Sequence, residues 1–290
     1  MMQAKKRLTV FTPAYNRAGK LKRLYESLLA QTNADFLWLV VDDGSTDETQ
    51  ELIHSFQMEG KLEIRYHRQE NGGKMRAHNA GARLADTQLF VCLDSDDHFT
   101  KTAVDDILTL WTGNEDEAIA GIVAHKGRDE EHILYDTAFP VKGCSSLKGL
   151  YEKGFKGETT LVFRTELIRR FPFPEIEGEK YVPEDVVYDR IDREHKYLVL
   201  NKILTVCELV SEGLTDRVDE LRENNPTGWL IYYYQRALLG KGLLGMKYAS
   251  HYLRFKGRVD KQYLKEYALP LRLVLKGLPG AAALALKGKL

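Results

Sequence analysis

The chain has 290 residues, of which 43% are hydrophobic and 29% charged. This composition allows a full hydrophobic core and excludes a disordered chain. The net charge is zero, but residues 236–290 contain 12 basic and only two acidic side chains, so a basic C-terminal segment follows an acidic body. Such an asymmetry indicates an anionic partner.

Neither a membrane span nor a secretory signal is expected. No stretch approaches the roughly 20 apolar residues that a spanning helix requires, and the basic N-terminus lacks a following apolar region. Cys92, Cys144 and Cys207 form no C-x-x-C pair, which predicts reduced core residues in a cytoplasmic protein.

Apolar runs alternate with helical patterns from residue 8 to a predicted helix that begins at about residue 102. Strands are predicted at residues 8–11, 37–41, 63–66 and 89–93. Helices are predicted after Asn16, after a capping box formed by Ser45 and Glu48, at residues 74–84, and from about residue 102. This rhythm predicts an α/β fold with a Rossmann-like, mostly parallel sheet flanked by helices.

The remaining sequence is less regular. Residues 119–123 and 159–164 are predicted strands, and F-P-F-P-E at residues 171–175 is a predicted rigid loop. Beyond Gly213 the pattern is that of basic, amphipathic helices.

Four polar motifs follow the predicted strands. They are T-P-A-Y-N-R (12–17), D-D-G-S (42–45), E-N-G-G-K (70–74) and D-S-D-D (94–97). Ligands of parallel α/β sheets bind beyond the carboxyl ends of the strands, so these motifs are expected to line one crevice.

The D-S-D-D motif places three carboxylates at the exit of a buried strand. Asp94, Asp96 and Asp97 are compatible with Mg²⁺ or Mn²⁺ shared with substrate phosphates, or with a solvated turn. An EF-hand loop would require glycine at Phe99. A haloacid-dehalogenase-type phosphatase would require Thr or Val at His98.

The other motifs each allow a binding role or an ordinary turn. Asp43 is suited to accept hydrogen bonds from a nucleobase or ribose, and Lys74 to approach a diphosphate. Glu184 and Asp185, in Y-V-P-E-D, could supply a general base or only surface charge.

Taken together, T-V-F-T-P-A-Y-N-R, V-V-D-D-G-S-T-D, N-G-G-K-M-R-A-H-N-A-G, D-S-D-D and P-E-D resemble the inverting glycosyltransferases of family 2, with the GT-A-type fold. The resemblance covers about residues 6–212. The chain lacks the Q-x-x-R-W motif of the processive members of the family, which implies transfer of one sugar per event. G-E-K-Y-V-P-E-D and S-E-G-L-T are similar to members that build bacterial surface polysaccharides.

The resemblance implies a role for individual residues. Thr12, Ala14 and Tyr15 would line a nucleoside pocket, Asp43 would meet the base, most often uracil, Lys74 the diphosphate, and Asp94 the ribose. Asp96 would ligate Mn²⁺ or Mg²⁺, while Asp97 has no family role. Asp185 would be the catalytic base, and Glu184 would position it or the acceptor. The full set of donor residues implied is Thr12, Ala14, Tyr15, Asp43, Asn71, Lys74, Asp94 and Ser95.

The predicted organisation is a catalytic domain over residues 1–212, with a nucleotide-binding half (1–98) and an acceptor-binding half (99–212), followed by a basic helical extension (213–290). The implied reaction moves a sugar from a nucleoside-diphosphate sugar, with UDP as the expected nucleotide, to a hydroxyl of a glycan or lipid-linked acceptor. The basic extension would rest on the anionic inner face of the plasma membrane, or only neutralise the acidic body.

Two alternatives remain open from the sequence. A nucleotidyltransferase would usually carry a Gly-rich basic loop after the first strand, where this chain has T-P-A-Y-N-R. A non-catalytic nucleotide-binding module would not need the full set of acidic motifs. No nucleic-acid partner is expected, because the sequence has neither zinc-site spacing nor an RNA-binding aromatic signature.

Overall fold

The computed structural model describes residues 5–207 and 218–286. The S-E-G-L-T motif at residues 211–215 therefore lies outside the described residues. The strands are β1 (Leu8–Ala14), β2 (Phe36–Asp42), β3 (Ile64–Arg68), β4 (Leu89–Cys92), β5 (His98–Phe99), β6 (Ile119–Gly127), β7 (Gly143–Ser145), β8 (Thr159–Arg164) and β9 (Lys196–Val206). The helices are α1 (Ala18–Leu29), α2 (Thr49–Glu59), α3 (Lys74–Leu84), α4 (Ala103–Trp111), α5 (Leu147–Glu152), α6 (Thr165–Arg170), α7 (Asp185–Asp192), α8 (Val218–Asn224), α9 (Pro226–Leu239), α10 (Gly242–Phe255), α11 (Lys261–Glu266) and α12 (Leu271–Leu286).

The chain divides into two compact units. The first contains the described residues up to Pro172 together with residues 190–207. The second contains Phe173–Asp189 and the described C-terminal helices. The segment with Glu184 and Asp185 thus groups with the helices of the predicted extension, while the boundaries predicted at residues 98 and 212 stay predictions.

The sheet belongs to the first unit and confirms the predicted α/β fold. Its strands follow the order β3-β2-β1-β4-β8-β6-β9-β5, and β7 pairs with β9. The pairs β2–β3, β1–β2 and β1–β4 are parallel, as is β6–β9, whereas β8 runs antiparallel to β4 and β6. The parallel half at β3-β2-β1-β4 carries the predicted motifs at its carboxyl ends.

Continuous burial explains why β1 and β2 are central strands. Every residue of β2 is buried, and β1 is buried except for partial exposure at Pro13. The sequence pattern of α1 predicts a face of Leu21, Leu24, Leu28 and Leu29. The first three are buried and cover this region, whereas Leu29 is exposed. The ring of Tyr25 stacks on Phe56 of α2, with the ring centroids 3.9 Å apart.

Two local predictions were wrong. Helix α2 begins at Thr49 rather than after a Ser45–Glu48 capping box, and no side-chain cap bond is present. The backbone N–H of Ser45 instead donates to Asp42 Oδ1 at 2.7 Å, and its hydroxyl accepts from the N–H of Asn16 at 2.9 Å. The Asp42 side chain therefore accepts from the N–H three residues on, and this bond holds Ser45 in the loop that precedes α2. Cys144 is exposed, so it is not a core residue.

The second unit has its own aromatic core. Trp229 and Tyr233 of α9 pack with Tyr252 and Phe255 of α10. Helix α12 approaches α10 closely, because a Cβ added at Gly277 would lie 2.9 Å from the backbone of Ala249. None of the helices in the described ranges is long and apolar enough to cross a membrane.

Gly121 in β6 provides a test of the sheet packing. Its φ is +149°, and a Cβ built there would lie 1.9 Å from the carbonyl oxygen of Val162 in β8. Gly121→Ala should therefore lower the free energy of unfolding by about 1–3 kcal/mol or more, measured by urea denaturation.

Gly19→Ala is the matched control, because Gly19 is exposed in α1 and nothing lies within 4 Å of its added Cβ. This substitution should stabilise the protein by about 0.4–1 kcal/mol. A Gly121→Ala variant with the same urea midpoint as the native protein would contradict the described β6–β8 packing.

Candidate active site

Parallel pairing brings the loops after β1, β2 and β4 to one edge of the sheet. Ala14 is opposite Asp42 in the register of β1 and β2, and Phe11 is opposite Cys92 in that of β1 and β4. The N–H of Asp43 then donates to the carbonyl of Ala14 at 2.8 Å. The predicted convergence of the T-P-A-Y-N-R, D-D-G-S and D-S-D-D motifs is therefore present in the fold.

The carboxylate of Asp43 organises the loop that precedes α3. Its Oδ1 accepts hydrogen bonds from Gln69 Nε2 at 2.7 Å and the N–H of Gly72 at 3.0 Å. Its Oδ2 accepts from the N–H of Gly73 at 2.7 Å and from Asn71 Nδ2 at 3.3 Å. Asp43 is 3% exposed, so this buried charge is well satisfied and fixes the start of α3.

The three residues expected to line a nucleoside pocket differ in exposure. Thr12 and Ala14 are buried, and the hydroxyl of Thr12 accepts a hydrogen bond from Trp38 Nε1 at 3.0 Å. Tyr15, beyond the end of β1, is 47% exposed. Tyr15 is thus the most accessible of the three side chains. The pocket role of all three stays a prediction.

The turn after β4 holds its three carboxylates in different surroundings. Lys74 Nζ lies 2.9 Å from Asp94 Oδ1, and Lys126 Nζ lies 3.1 Å from Asp97 Oδ2. Asp96 is half-buried and forms no hydrogen bond or ion pair to any residue that the structure describes. Ser95, between them, is buried.

These contacts move the pKa values in opposite directions. Burial opposes ionisation of Asp94, but the ammonium groups of Lys74 and Lys126 lower its pKa to about 2. Burial raises the pKa of Asp97, and the charges of Asp94 and Asp96 add to that rise against the opposing effect of Lys126. Burial also raises the pKa of the Cys207 thiol, which donates to Asp97, to about 12.

The donor set at this turn fits a shared divalent cation rather than a protein-only cage. Over residues 5–207 and 218–286, no cluster of three His, Cys, Asp or Glu side chains could hold a metal. Mg²⁺ and Mn²⁺ are commonly bound by one or two carboxylates and by substrate phosphates. Asp96, with its carboxylate uncommitted, is suited to such a site.

Glu184 and Asp185 lie at the start of α7, in the second unit. The carbonyl of Glu184 accepts from the N–H groups of Val187 at 2.9 Å and Tyr188 at 3.2 Å. Arg236 Nη2 of α9 lies 2.9 Å from Asp185 Oδ2. Burial and the adjacent charge of Glu184 raise the pKa of Asp185, and the guanidinium of Arg236 opposes that rise.

The sequence did not predict two of the basic residues that pair with aspartates of the candidate site. Lys126 follows an apolar run at the end of β6, which hides its pairing with Asp97, 29 residues earlier in the chain. Arg236 was treated as part of a basic helical face, yet it contacts Asp185 and Asp189. In both segments the available signal was a charged residue in an otherwise buried run, in strand β6 for Lys126 and in helix α9 for Arg236.

The sequence and structure resemble known sugar-transferring enzymes. A Staphylococcus aureus poly(ribitol-phosphate) β-N-acetylglucosaminyltransferase, TarP, is 26% identical over 151 residues, covering 51% of this chain and 42% of TarP. An uncharacterized glycosyltransferase of Nostoc sp. is 26% identical over 191 residues, covering 63% of this chain and 58% of that protein. The chain thus spans less than two thirds of the length of these relatives.

Solved structures share the fold. S. aureus TarS residues 1–349, crystallised with UDP-GlcNAc, superposes with a TM-score of 0.63 at 16% identity, over 94% of this chain and 79% of that one. The mannosyltransferase PcManGT of Pyrobaculum calidifontis, in complex with GDP-Man and Mn²⁺, gives a TM-score of 0.53 at 16% identity, over 98% and 76% of the two chains.

The fold is therefore that of the GT-A glycosyltransferases. The family model described as "Glycosyl transferase family 2" matches residues 9–175, more than half of the chain. The protein belongs to glycosyltransferase family 2.

The Lys74–Asp94 pair predicts a pH-dependent contribution to stability. A carboxyl group with a lowered folded-state pKa stabilises the fold above its unfolded pKa of about 3.9, and this stabilisation is lost as the pH falls through about 2. Lys74→Met should lower the free energy of unfolding by about 1–2 kcal/mol at pH 7, and the deficit should shrink at about pH 2.5.

Urea denaturation at the two pH values measures this effect. Lys101→Met is the control, since Lys101 is exposed, and it should show little deficit at either pH. A Lys74→Met deficit of equal size at both pH values would contradict the ionic role of this pair.

Proposed function

We propose that this protein is a metal-dependent, inverting glycosyltransferase that moves one sugar from a nucleoside diphosphate sugar to an acceptor hydroxyl. The observation that carries this proposal is the uncommitted Asp96 carboxylate between two lysine-paired aspartates, at the carboxyl edge of a parallel sheet. The TarS structure with UDP-GlcNAc favours a UDP-sugar as donor. The PcManGT complex with Mn²⁺ supports a divalent cation.

Different residues of the site would contact different parts of the donor. A divalent cation held by Asp96 would supply a Lewis acid for the departing diphosphate. Lys74 is placed beside Asp94 and adds a positive charge that a diphosphate can share. Asp43 fixes the Asn71–Gly73 loop and so sets the position of Lys74 at the start of α3. Asn71, Ser95, Tyr15, Ala14 and Thr12 would complete the donor pocket.

Chemistry at the acceptor would depend on Asp185. Its carboxylate would take the proton of the acceptor hydroxyl as that oxygen attacks the anomeric carbon. A single displacement inverts the configuration, and the bond to the diphosphate breaks as the new glycosidic bond forms. Glu184 would orient Asp185 or the acceptor.

A relative supports the proposed class of acceptor. TarP is named as an enzyme that modifies poly(ribitol-phosphate). We therefore place this protein in surface polysaccharide synthesis, with a glycan or lipid-linked saccharide as acceptor. That role predicts a cytoplasmic enzyme, peripheral on the inner face of the plasma membrane.

Donor turnover tests the reaction class and the base. The purified protein with Mn²⁺ should slowly release UDP from one or two members of a UDP-sugar panel, and EDTA should stop this release. Asp185→Asn should reduce turnover by about 10²–10⁴-fold while the Kd for UDP stays unchanged, because the base acts only in the chemical step.

Glu166→Gln is a control for a charge change on the first unit, since the exposed Glu166 lies at the start of α6. It should keep native turnover. Equal loss of UDP binding and turnover in Asp185→Asn would contradict its assignment as the base. With pyrophosphate added, formation of UTP and sugar 1-phosphate from the UDP-sugar, instead of release of UDP, would indicate the nucleotidyltransferase alternative.

The second unit has the surface expected of a membrane-facing helix. Leu271, Leu275 and Leu278 are 71%, 57% and 50% exposed on α12, and their spacing of four and three residues places them on one face. Arg272 and Lys276 are exposed beside them. An apolar stripe bordered by basic side chains is suited to an anionic lipid surface.

Vesicle binding tests this surface. The native protein should co-sediment with vesicles that contain anionic phosphatidylglycerol, and a variant with Leu271, Leu275 and Leu278 changed to Ser should lose most of this binding. Met58→Ser is the control, because Met58 is 87% exposed but lies on α2 of the first unit. Equal co-sedimentation of the native protein and the triple variant would refute a membrane role for this face.

A further inference from the structure

The predicted base is held by a side chain from far along the sequence. Asp185 and Asp189 lie one turn apart on α7, and Arg236 of α9 bridges them. Arg236 Nη2 lies 2.9 Å from Asp185 Oδ2, and its Nε lies 2.7 Å from Asp189 Oδ2. A guanidinium is planar and permanently charged, so two carboxylates that contact it are restricted in orientation as well as in charge.

Helix α9 is fixed against the segment that carries the base. The carboxylate of Glu179 accepts hydrogen bonds from the N–H groups of Thr227 at 2.7 Å and Gly228 at 2.9 Å, at the start of α9. Near its other end, Gln235 Nε2 donates to the carbonyl of Val186 at 3.1 Å. These contacts set the register of α9 on both sides of the Asp185 position, so the guanidinium has a defined place.

Burial separates the roles of the two carboxylates. The side chain of Asp189 is 8% exposed, whereas that of Asp185 is 43% exposed. Asp189 therefore anchors Arg236, and Asp185 keeps access to solvent. Within the described part of the chain, Arg236 contacts Oδ2 of Asp185 and no donor forms a hydrogen bond with Oδ1. Oδ1 can therefore accept the proton of an acceptor hydroxyl.

We propose that Arg236 is the positioning residue of the catalytic base: it fixes the Asp185 carboxylate so that Oδ1 faces the acceptor hydroxyl. This inference rests on the proposed function, in which Asp185 is the base. It makes α9 a part of the catalytic apparatus, although α9 lies beyond the region that the family model matches.

The charges around Asp185 predict how the base responds to pH. Arg236 and Tyr232 face it from α9, Glu184 precedes it in the chain, and Tyr248 of α10 contacts Tyr232. Burial and Glu184 raise the pKa of Asp185, and Arg236 opposes them. Without Arg236 the pKa of Asp185 should rise further, so the ionised base should persist only at higher pH.

The test compares Arg236→Met and Arg236→Lys with the native protein. Turnover is measured as UDP release from UDP-GlcNAc with Mn²⁺ across pH, and UDP binding is measured by calorimetry. Arg236→Met should lower kcat by about 10–100-fold at unchanged Kd for UDP, because a misplaced base costs rate and not donor affinity. The acid limb of its pH profile should move to higher pH. Arg236→Lys should return the acid limb to its native pH but should recover only part of kcat.

Arg254→Met is the matched control. The Arg254 side chain is also largely buried in the second unit, at 16% exposed, and it pairs with Glu223 rather than with Asp185. If such arginines had a purely structural role, both Met variants would lose the same fraction of kcat. An acid limb that stays at the native pH in Arg236→Met, or moves equally in Arg254→Met, would overturn the inference.

A second measurement does not require turnover. Carboxyl ¹³C NMR of Asp-labelled protein, with Asp185→Asn to assign the signal, should show a higher pKa for Asp185 in Arg236→Met than in the native protein. An unchanged titration would overturn the inference. Native protein that releases no UDP from any donor would contradict the proposed function instead, and the titration would still show whether Arg236 lowers the pKa of Asp185.

Discussion

Parallel pairing of β1 with both β2 and β4 is the constraint on which the candidate site depends. Ala14 opposite Asp42 and Phe11 opposite Cys92 fix where the three following loops emerge. Each of these strands is buried, so a shift in register would move apolar side chains out of the core. The polar motifs are thus held at one edge by hydrophobic packing.

Charge balance at that edge explains why three aspartates can follow one buried strand. Lys74 and Lys126 each neutralise one carboxylate, which leaves a single uncommitted negative charge at Asp96. In the proposed function a nucleoside diphosphate would bring negative charge of its own, so its binding beside Asp96 would require a further cation. In the second unit, Arg236 has a corresponding role between Asp185 and Asp189.

Local pattern was sufficient for much of the fold and for part of the site. Residues 74–84 were predicted as a helix and form α3 with those bounds, because the Gly-rich start and the apolar spacing are both local features. The predicted parallel strands placed Asp43 and Asp94 at the carboxyl edge of the sheet, where the structure has them. The capping box at Ser45 failed because Asp42 competes for the same N–H. The partners Lys126 and Arg236 are separated from their carboxylates by 29 and 51 residues, and a single-sequence pattern does not identify the partner of a charged residue at such distances.

The central claim is that Asp96 and a nucleoside diphosphate share a divalent cation. Isothermal titration calorimetry of UDP into the native protein and into Asp96→Asn, each with Mn²⁺ and with EDTA, tests it most directly. The account predicts that Mn²⁺ strengthens UDP binding to the native protein by about tenfold or more, a difference of about 1.4 kcal/mol, and that Asp96→Asn loses this gain. Equal Mn²⁺ dependence in both proteins, or UDP binding that ignores Mn²⁺ in the native protein, would contradict it.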